Sequence, residues 1–161
     1  MVKSVFSDGK GLVQSAGSGM VIEQRGATGA AYGDAASAIA VGASDTEMTV
    51  VQPAGSVLVD VGVALKVAIA GSTGNINVKV GTTDDGAELC AAAALMSSAD
   101  AVAVGAGISV AGTKGEGDAA LAFKANAPTY TASERTIFIR AEQSAAVTAG
   151  EYTPYIRFIK I

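Results

Sequence analysis

From Val57 to Ile69 the chain alternates without a break: Val57, Val59, Val61, Val63, Leu65, Val67 and Ile69 are separated by Leu58, Asp60, Gly62, Ala64, Lys66 and Ala68. A period of two is the mark of a β-strand with one apolar face and one mixed face. At about 3.3 Å per residue the run spans on the order of 40 Å, several times longer than a common strand. A strand of that length is expected to bend or to cross between two sheets, and Gly62 is the position where either costs least.

Shorter strands are expected on both sides of it. Glu47 to Val51 alternates and stops at Pro53-Ala54-Gly55, a turn sequence. Gly71 to Asn75 reads as a five-residue turn that closes a hairpin into Ile76, Val78 and Val80. Ala87 to Met96 is ambiguous, because its alanines favour a helix and the surrounding pattern a strand; a strand is the reading taken. Short apolar pieces follow at Ala101–Val104 and Ile108–Val110, broken by Gly105-Ala106-Gly107, with an exposed loop at Thr113–Asp118. Further strands are expected at Ala119–Lys124, Thr136–Glu142 and Tyr152–Ile161. Such short, evenly spaced strands with glycine-rich turns predict an all-β fold, an antiparallel β-sandwich of jelly-roll-like type. Tyr155, Ile156, Phe158, Ile159 and Ile161 place apolar groups on both faces of the last strand, which should therefore be central or covered.

Residues 1–44 read differently, as an N-terminal arm and loop region preceding a sandwich domain at 45–161. They are rich in Gly, Ala and Ser, with one apolar run at Met20-Val21-Ile22 that predicts a short strand or docking segment. Gly33 and Gly42 each cost about 1 kcal/mol in a helix, so Ala30–Ala43 is expected as loop with a strand at Ser37–Val41. Val5, Phe6, Met20, Val21 and Ile22 are interface candidates, since this segment is too polar to bury them in a core of its own. The alternative is that they pack on their own sandwich.

Composition narrows the chemistry. The chain has no histidine, no tryptophan and one cysteine, and only 16% of its residues are charged. Without histidine the usual base for a serine nucleophile is missing, and Ser18 between Gly17 and Gly19 lies in no nucleophile elbow. Gly9-Lys10-Gly11 lacks the spacing of a phosphate loop. No zinc site is expected from a lone cysteine, and Cys90, flanked by Leu89 and Ala91–Ala94, reads as a structural thiol. Asp84, Asp85 and Glu88 form the one tight carboxylate group, read as a solvated turn rather than a calcium loop. A glycosidase would need a facing carboxylate, for which Glu116 or Asp118 is the conceivable partner. The expectation is a protein that is not an enzyme and carries no cofactor or metal. A formal charge of -4 without a Lys/Arg cluster argues against nucleic acid. No window approaches the roughly twenty apolar residues of a membrane helix, and no signal-peptide core follows Lys3, so a soluble product of the cytoplasm is expected. Half the residues are hydrophobic but only 5% are aromatic, so the core is built of Ala and Val and should gain from assembly.

Four motifs in a fixed order carry a resemblance: Asp-Val-Gly-Val at Asp60–Val63, Asn-Val-Lys-Val-Gly-Thr-Thr-Asp-Asp-Gly at Asn77–Gly86, Tyr-Thr-Ala-Ser-Glu-Arg-Thr-Ile-Phe-Ile at Tyr130–Ile139, and Thr-Ala-Gly-Glu at Thr148–Glu151. Over roughly Val50–Ile161 the chain resembles the head decoration, or cement, proteins of tailed bacteriophages. The resemblance implies a virion protein on the capsid exterior, often a trimer, that bridges major capsid protein subunits and uses an N-terminal arm such as Met1–Gln24 to reach the shell or an adjacent copy. It brings no catalytic or contact residues. Two other readings remain open: a glycan or host-surface binding module of a phage fibre, against which the scarcity of aromatics counts, and another virion component such as a tail tube or head-closure subunit.

Overall fold

The alternating segments become two antiparallel sheets in the computed structural model, which describes residues 3–7, 11–15, 21–25, 37–38, 45–70, 74–96, 107–110, 112–114, 121–145 and 149–161. The strands are β1 (Lys3–Ser7), β2 (Gly11–Ser15), β3 (Val21–Arg25), β4 (Ser37–Ala38), β5 (Thr46–Gln52), β6 (Ser56–Ala70), β7 (Ile76–Gly81), β8 (Cys90–Met96), β9 (Gly107–Ser109), β10 (Gly112–Lys114), β11 (Tyr130–Thr131), β12 (Arg135–Gln143) and β13 (Ala149–Lys160). The long sheet runs β10-β9-β6-β13-β3, with β11 beside β6 and β4 beside β13; the short sheet runs β5-β12-β7-β8. No helix occurs among the described residues. The fold is an all-β antiparallel sandwich.

Inward side chains fill the space between the sheets. Met48, Val50, Ile76, Val78, Val80, Ile137, Ile139 and Ala141 of the short sheet face Leu58, Val61, Val63, Leu65, Tyr152, Ile156 and Phe158 of the long one, all in one buried cluster. Leu89, Leu121 and Cys90 extend it under the loops. Cys90 has no exposure and its thiol is pushed up to about 12 by burial, as a packing thiol should be.

The long alternating strand corrects the expected face. β6 stays in one sheet and runs 15 residues against the 12 of β13. The difference is absorbed at three register shifts along their ladder. One falls at Val59, where Arg157 opposes Asp60 and Phe158 opposes Leu58. An extra residue in one strand reverses which face the following residues take and increases the local twist. Val61, Val63 and Leu65 are therefore buried as the alternation predicts, while Leu58 replaces Val57 and Val59 on the core side. None of the irregularities falls at Gly62, which pairs in register with Tyr155.

Strand β13 is central, between β6 and β3, as expected; Tyr152, Ile156 and Phe158 face the core, whereas Ile161 just after it is exposed. The strand tolerates Pro154 because its second ladder is interrupted there: β4 pairs at Glu151 and Tyr152, β3 begins at Tyr155, and no described strand pairs on that side at Thr153 or Pro154.

Other expectations change in detail. The 71–75 turn closes no hairpin; β6 and β7 lie in different sheets, and β7 pairs with β12 and β8. Each strand has its own buried face, so the chain passes from one layer to the other. Ala87–Met96 is a strand from Cys90 onward. The Ala119–Lys124 strand reduces to an isolated bridge between Phe123 and Cys90, with 119–120 outside the described residues. Thr113 and Lys114 belong to β10 rather than to a loop, and 115–118 and 101–104 lie outside the described residues. The predicted turn at Pro53-Ala54-Gly55 is present, with Gly55 at a φ of 62° that favours glycine. Within 1–44, β1 pairs with β2, and β3 and β4 pair with β13.

Candidate functional site

The most constructed polar feature among the described residues is a charged ladder on the outer face of the short sheet. Strand alternation turns Ile76, Val78, Val80, Ile137 and Ile139 inward, which sends Lys79 and Arg140 outward. Register then sets Arg140 opposite both Glu47 and Lys79, so three strands contribute one charged row in which two cations stand side by side and need acids between them. Two loops add acids to it. Lys79 Nζ lies 2.6 Å from Asp85 Oδ1 and 2.6 Å from Glu142 Oε1. Arg140 lies 2.9 Å from Asp45 through Nη2, 3.2 Å from Asp85 through Nε and 3.9 Å from Glu47 through Nη1. Asp85, at a φ of 57°, donates its backbone N–H to Glu47 at 2.9 Å. Asp45 accepts the backbone N–H of Gln143.

The loop that brings Asp85 in is folded around Glu88. That carboxylate accepts the backbone N–H of Thr82 at 2.8 Å and the hydroxyl of Thr83 at 2.7 Å. A Cβ at Gly81 or Gly86 would collide with it, so both glycines are needed for the loop to close this tightly.

This arrangement favours ions over covalent chemistry. A Lys–carboxylate pair could condense to an amide only with a neutral amine and a protonated acid. Here the hydrogen bond to Asp85 holds the Lys79 ammonium charged, and the Lys79 hydrogen bond keeps Asp85 below the usual carboxylate range. The Arg140 hydrogen bond lowers Asp45 in the same way, and Asp45 raises Arg140. Glu47 is raised, first by burial and then by the neighbouring Asp84. No group of three or more His, Cys, Asp or Glu able to hold a metal occurs among the described residues. Asp85 and Glu88 are thus parts of an ion-pair and hydrogen-bond network, whereas Asp84 lies exposed in the turn, as a solvated turn predicts.

These shifts predict acid sensitivity. A carboxylate depressed in the folded state stabilises the fold above its ordinary pKa and loses that contribution as the pH falls through its folded value. Asp45 and Asp85 follow this course, and so does Glu88, held at about 2 by the Thr83 hydroxyl and the Thr82 N–H. Glu47 acts in the opposite sense, since a raised carboxyl favours the fold at low pH. With three groups against one, the urea midpoint should fall between pH 5 and pH 2. Carboxyl NMR should place Glu88 near 2; titration at its ordinary 4.5 would show that the loop does not hold it.

A second network closes one end of the sandwich. Gln52, fully buried, donates through Nε2 to the Ser56 carbonyl at 3.1 Å and the Thr129 carbonyl at 2.9 Å, and accepts from Arg135 Nε at 2.9 Å. Arg135 Nη2 also donates to the Pro128 carbonyl. On the outer face of the long sheet, Arg157 lies 3.4 Å from the buried Asp60 and stacks over the Tyr155 ring at 5.5 Å.

Of the interface candidates, Val5 and Phe6 fall in β1 and Val21 and Ile22 in β3, whereas Met20 lies outside the described residues. Gly11 opens β2; Gly9, Lys10, Ser18, Glu116 and Asp118 lie outside them too. Sequence reading missed Lys79, Arg140, Glu47 and Glu142 as a group. Their positions on the polar side of alternating strands were the available signal. No protein-family model, curated protein or solved structure matches this chain.

Proposed function

We propose that this chain is a structural virion protein that decorates and stabilises a bacteriophage capsid by bridging major capsid protein subunits, acting as a homo-oligomer on the capsid exterior. The observation that carries the reading is where the four resembling motifs fall. Asp60–Val63 is in β6, Asn77–Gly86 covers β7 and the loop after it, Tyr130–Ile139 covers β11 and the first half of β12, and the described part of the last motif, Ala149 to Glu151, opens β13. The resemblance therefore follows the core strands of both sheets. A sandwich that leaves Val59, Tyr130 and Ile161 exposed suits a protein whose stability is completed by its neighbours.

The test is co-sedimentation of the purified protein with expanded and unexpanded heads of the phage that encodes it. Pelleting with expanded heads is expected, and Met20→Asp with Ile22→Asp should weaken it several-fold while the free protein stays folded; loss of folding instead would mean that the segment packs on its own sandwich, where β3 pairs with β13. A protein that ignores heads and binds host cells or polysaccharide would replace this reading with the glycan-binding module.

A further inference from the structure

The large hydrophobic side chains exposed among the described residues are unevenly placed. Val59 and Val67 are on β6, Tyr130 is on β11, and Ile161 directly follows β13. None is on the short sheet. Tyr130 opposes Val57 and Val57 opposes Ile159, so these three form one row across the long sheet. Their neighbours Leu58 and Phe158 are buried in the core, which turns Val57 and Ile159 to the outer face. The Val59 bulge sits beside the row, and Arg157, with 40% of its side chain exposed, stands on the same face between it and Tyr155.

The short sheet offers the complement. On its outer face Thr49, Phe138 and Gly81 share a row, with half-buried Val51 beside it. The next row is the charged ladder. Three of its four acids are the outer members: Asp85 is 60% exposed, Asp45 36% and Glu142 33%, whereas Arg140 is 24%, Glu47 21% and Lys79 14% exposed. The face therefore presents carboxylates with the cations beneath them, next to an aromatic. One outer face is apolar beside a cation, the other apolar beside acids.

We infer that copies of this chain associate through these two faces, the long-sheet outer face of one packing on the short-sheet outer face of the next. The inference rests on the homo-oligomeric part of the reading above and names its contact. Tyr130, Val57, Val59 and Ile159 cover the Phe138 and Val51 side of the neighbour, and Arg157 meets the neighbour's carboxylates. Packing two long-sheet faces together would bring cation toward cation and leave the carboxylates, which outnumber Lys79 and Arg140 on the short sheet, without a cationic partner face, so charge favours the unlike pairing. Such a contact uses two different patches per copy; it closes into a ring or extends as a filament according to the rotation between copies.

Two broken-face variants test this, with mass read by light scattering. Val59→Asp with Tyr130→Asp spoils the long-sheet face; Thr49→Lys with Asp84→Lys spoils the other. Circular dichroism melts establish that each is folded. Each alone is expected to fall to the 15.8 kDa of one chain, and an equimolar mixture should form a 1:1 dimer, because each variant keeps the face that the other lacks. Val67→Asp, an equally exposed site toward the far end of β6, should leave the wild-type mass unchanged. Should the aspartates unfold the first variant, wild type in rising salt serves instead, and the oligomer should dissociate as its charge pairs are screened. A monomeric wild type, variants that keep the wild-type mass, or a mixture that stays monomeric would overturn the contact. A monomer that still pellets with heads would overturn the contact alone, and an oligomer that ignores heads the capsid reading alone.

Discussion

Tyr152→Ala is expected to lower stability by about 3–5 kcal/mol, the range for removing a large aromatic from a closed core. Tyr152 is among the largest fully buried side chains, and it sits on β13 opposite Leu65, in the middle of the layer between the sheets. Its hydroxyl crosses that layer and donates to the Thr46 carbonyl at the start of β5, at 3.4 Å. Burial pushes the phenol's pKa up, as expected for a ring with no path to water. The core is Leu, Ile, Val and Met rather than the Ala and Val that composition led one to expect. These side chains, Leu65 directly opposite among them, are already closely packed, so the space left behind closes only in part. A single domain is stable by only about 5–15 kcal/mol, so one ring carries a large share of the total. Tyr152→Phe separates packing from polarity: the bond is long, and losing it should cost about 0.5 kcal/mol, at the low end for a hydrogen bond. Guanidinium unfolding with an unchanged m-value measures both. Equal losses in the two variants would show that the hydrogen bond, not the ring, holds the sheets together.

How far the sequence foretold this arrangement depends on whether a feature belongs to one strand or to two. The inward set Ile137 and Ile139, and likewise Ile76, Val78 and Val80, follows from alternation within a single segment. The face of β6 does not, because a bulge is defined by the partner strand, and Val57 to Ile69 reads identically with or without one. The 71–75 turn failed for the same reason: alternation gives β7 a buried face and is silent on which neighbour it pairs with. The charged ladder lies between these cases. Outward positions for Lys79 and Arg140 were legible, but Asp45 and Asp85 come from loops, and only the register of three strands brings all four together. Gln143 was missed because the expected strand ended at Glu142, one residue short of the next inward position.

That last position has a consequence of its own. Ile137, Ile139, Ala141 and Gln143 continue one inward series on β12, and Gln143 is 7% exposed. Its backbone N–H is held by Asp45, yet neither the oxygen nor the nitrogen of its side-chain amide has a hydrogen-bond partner. Its cross-strand neighbour is Ile76, itself opposite Met96, both fully enclosed. Taking an amide out of water without replacing its hydrogen bonds costs about 1–3 kcal/mol. Methionine has nearly the same length and shape without that cost, so Gln143→Met is expected to stabilise the protein by about 1–3 kcal/mol. At about 2–4 °C per kcal/mol for a domain of this size, calorimetry should read a clear rise in Tm. Gln143→Glu is the opposite control, because a carboxylate there must either carry an unpaired charge or take up a proton; its loss of stability should grow as the pH rises above 5. A lower Tm for Gln143→Met would mean that the amide is satisfied in solution, and then Gln143 would be a polar anchor of the core rather than its weak point.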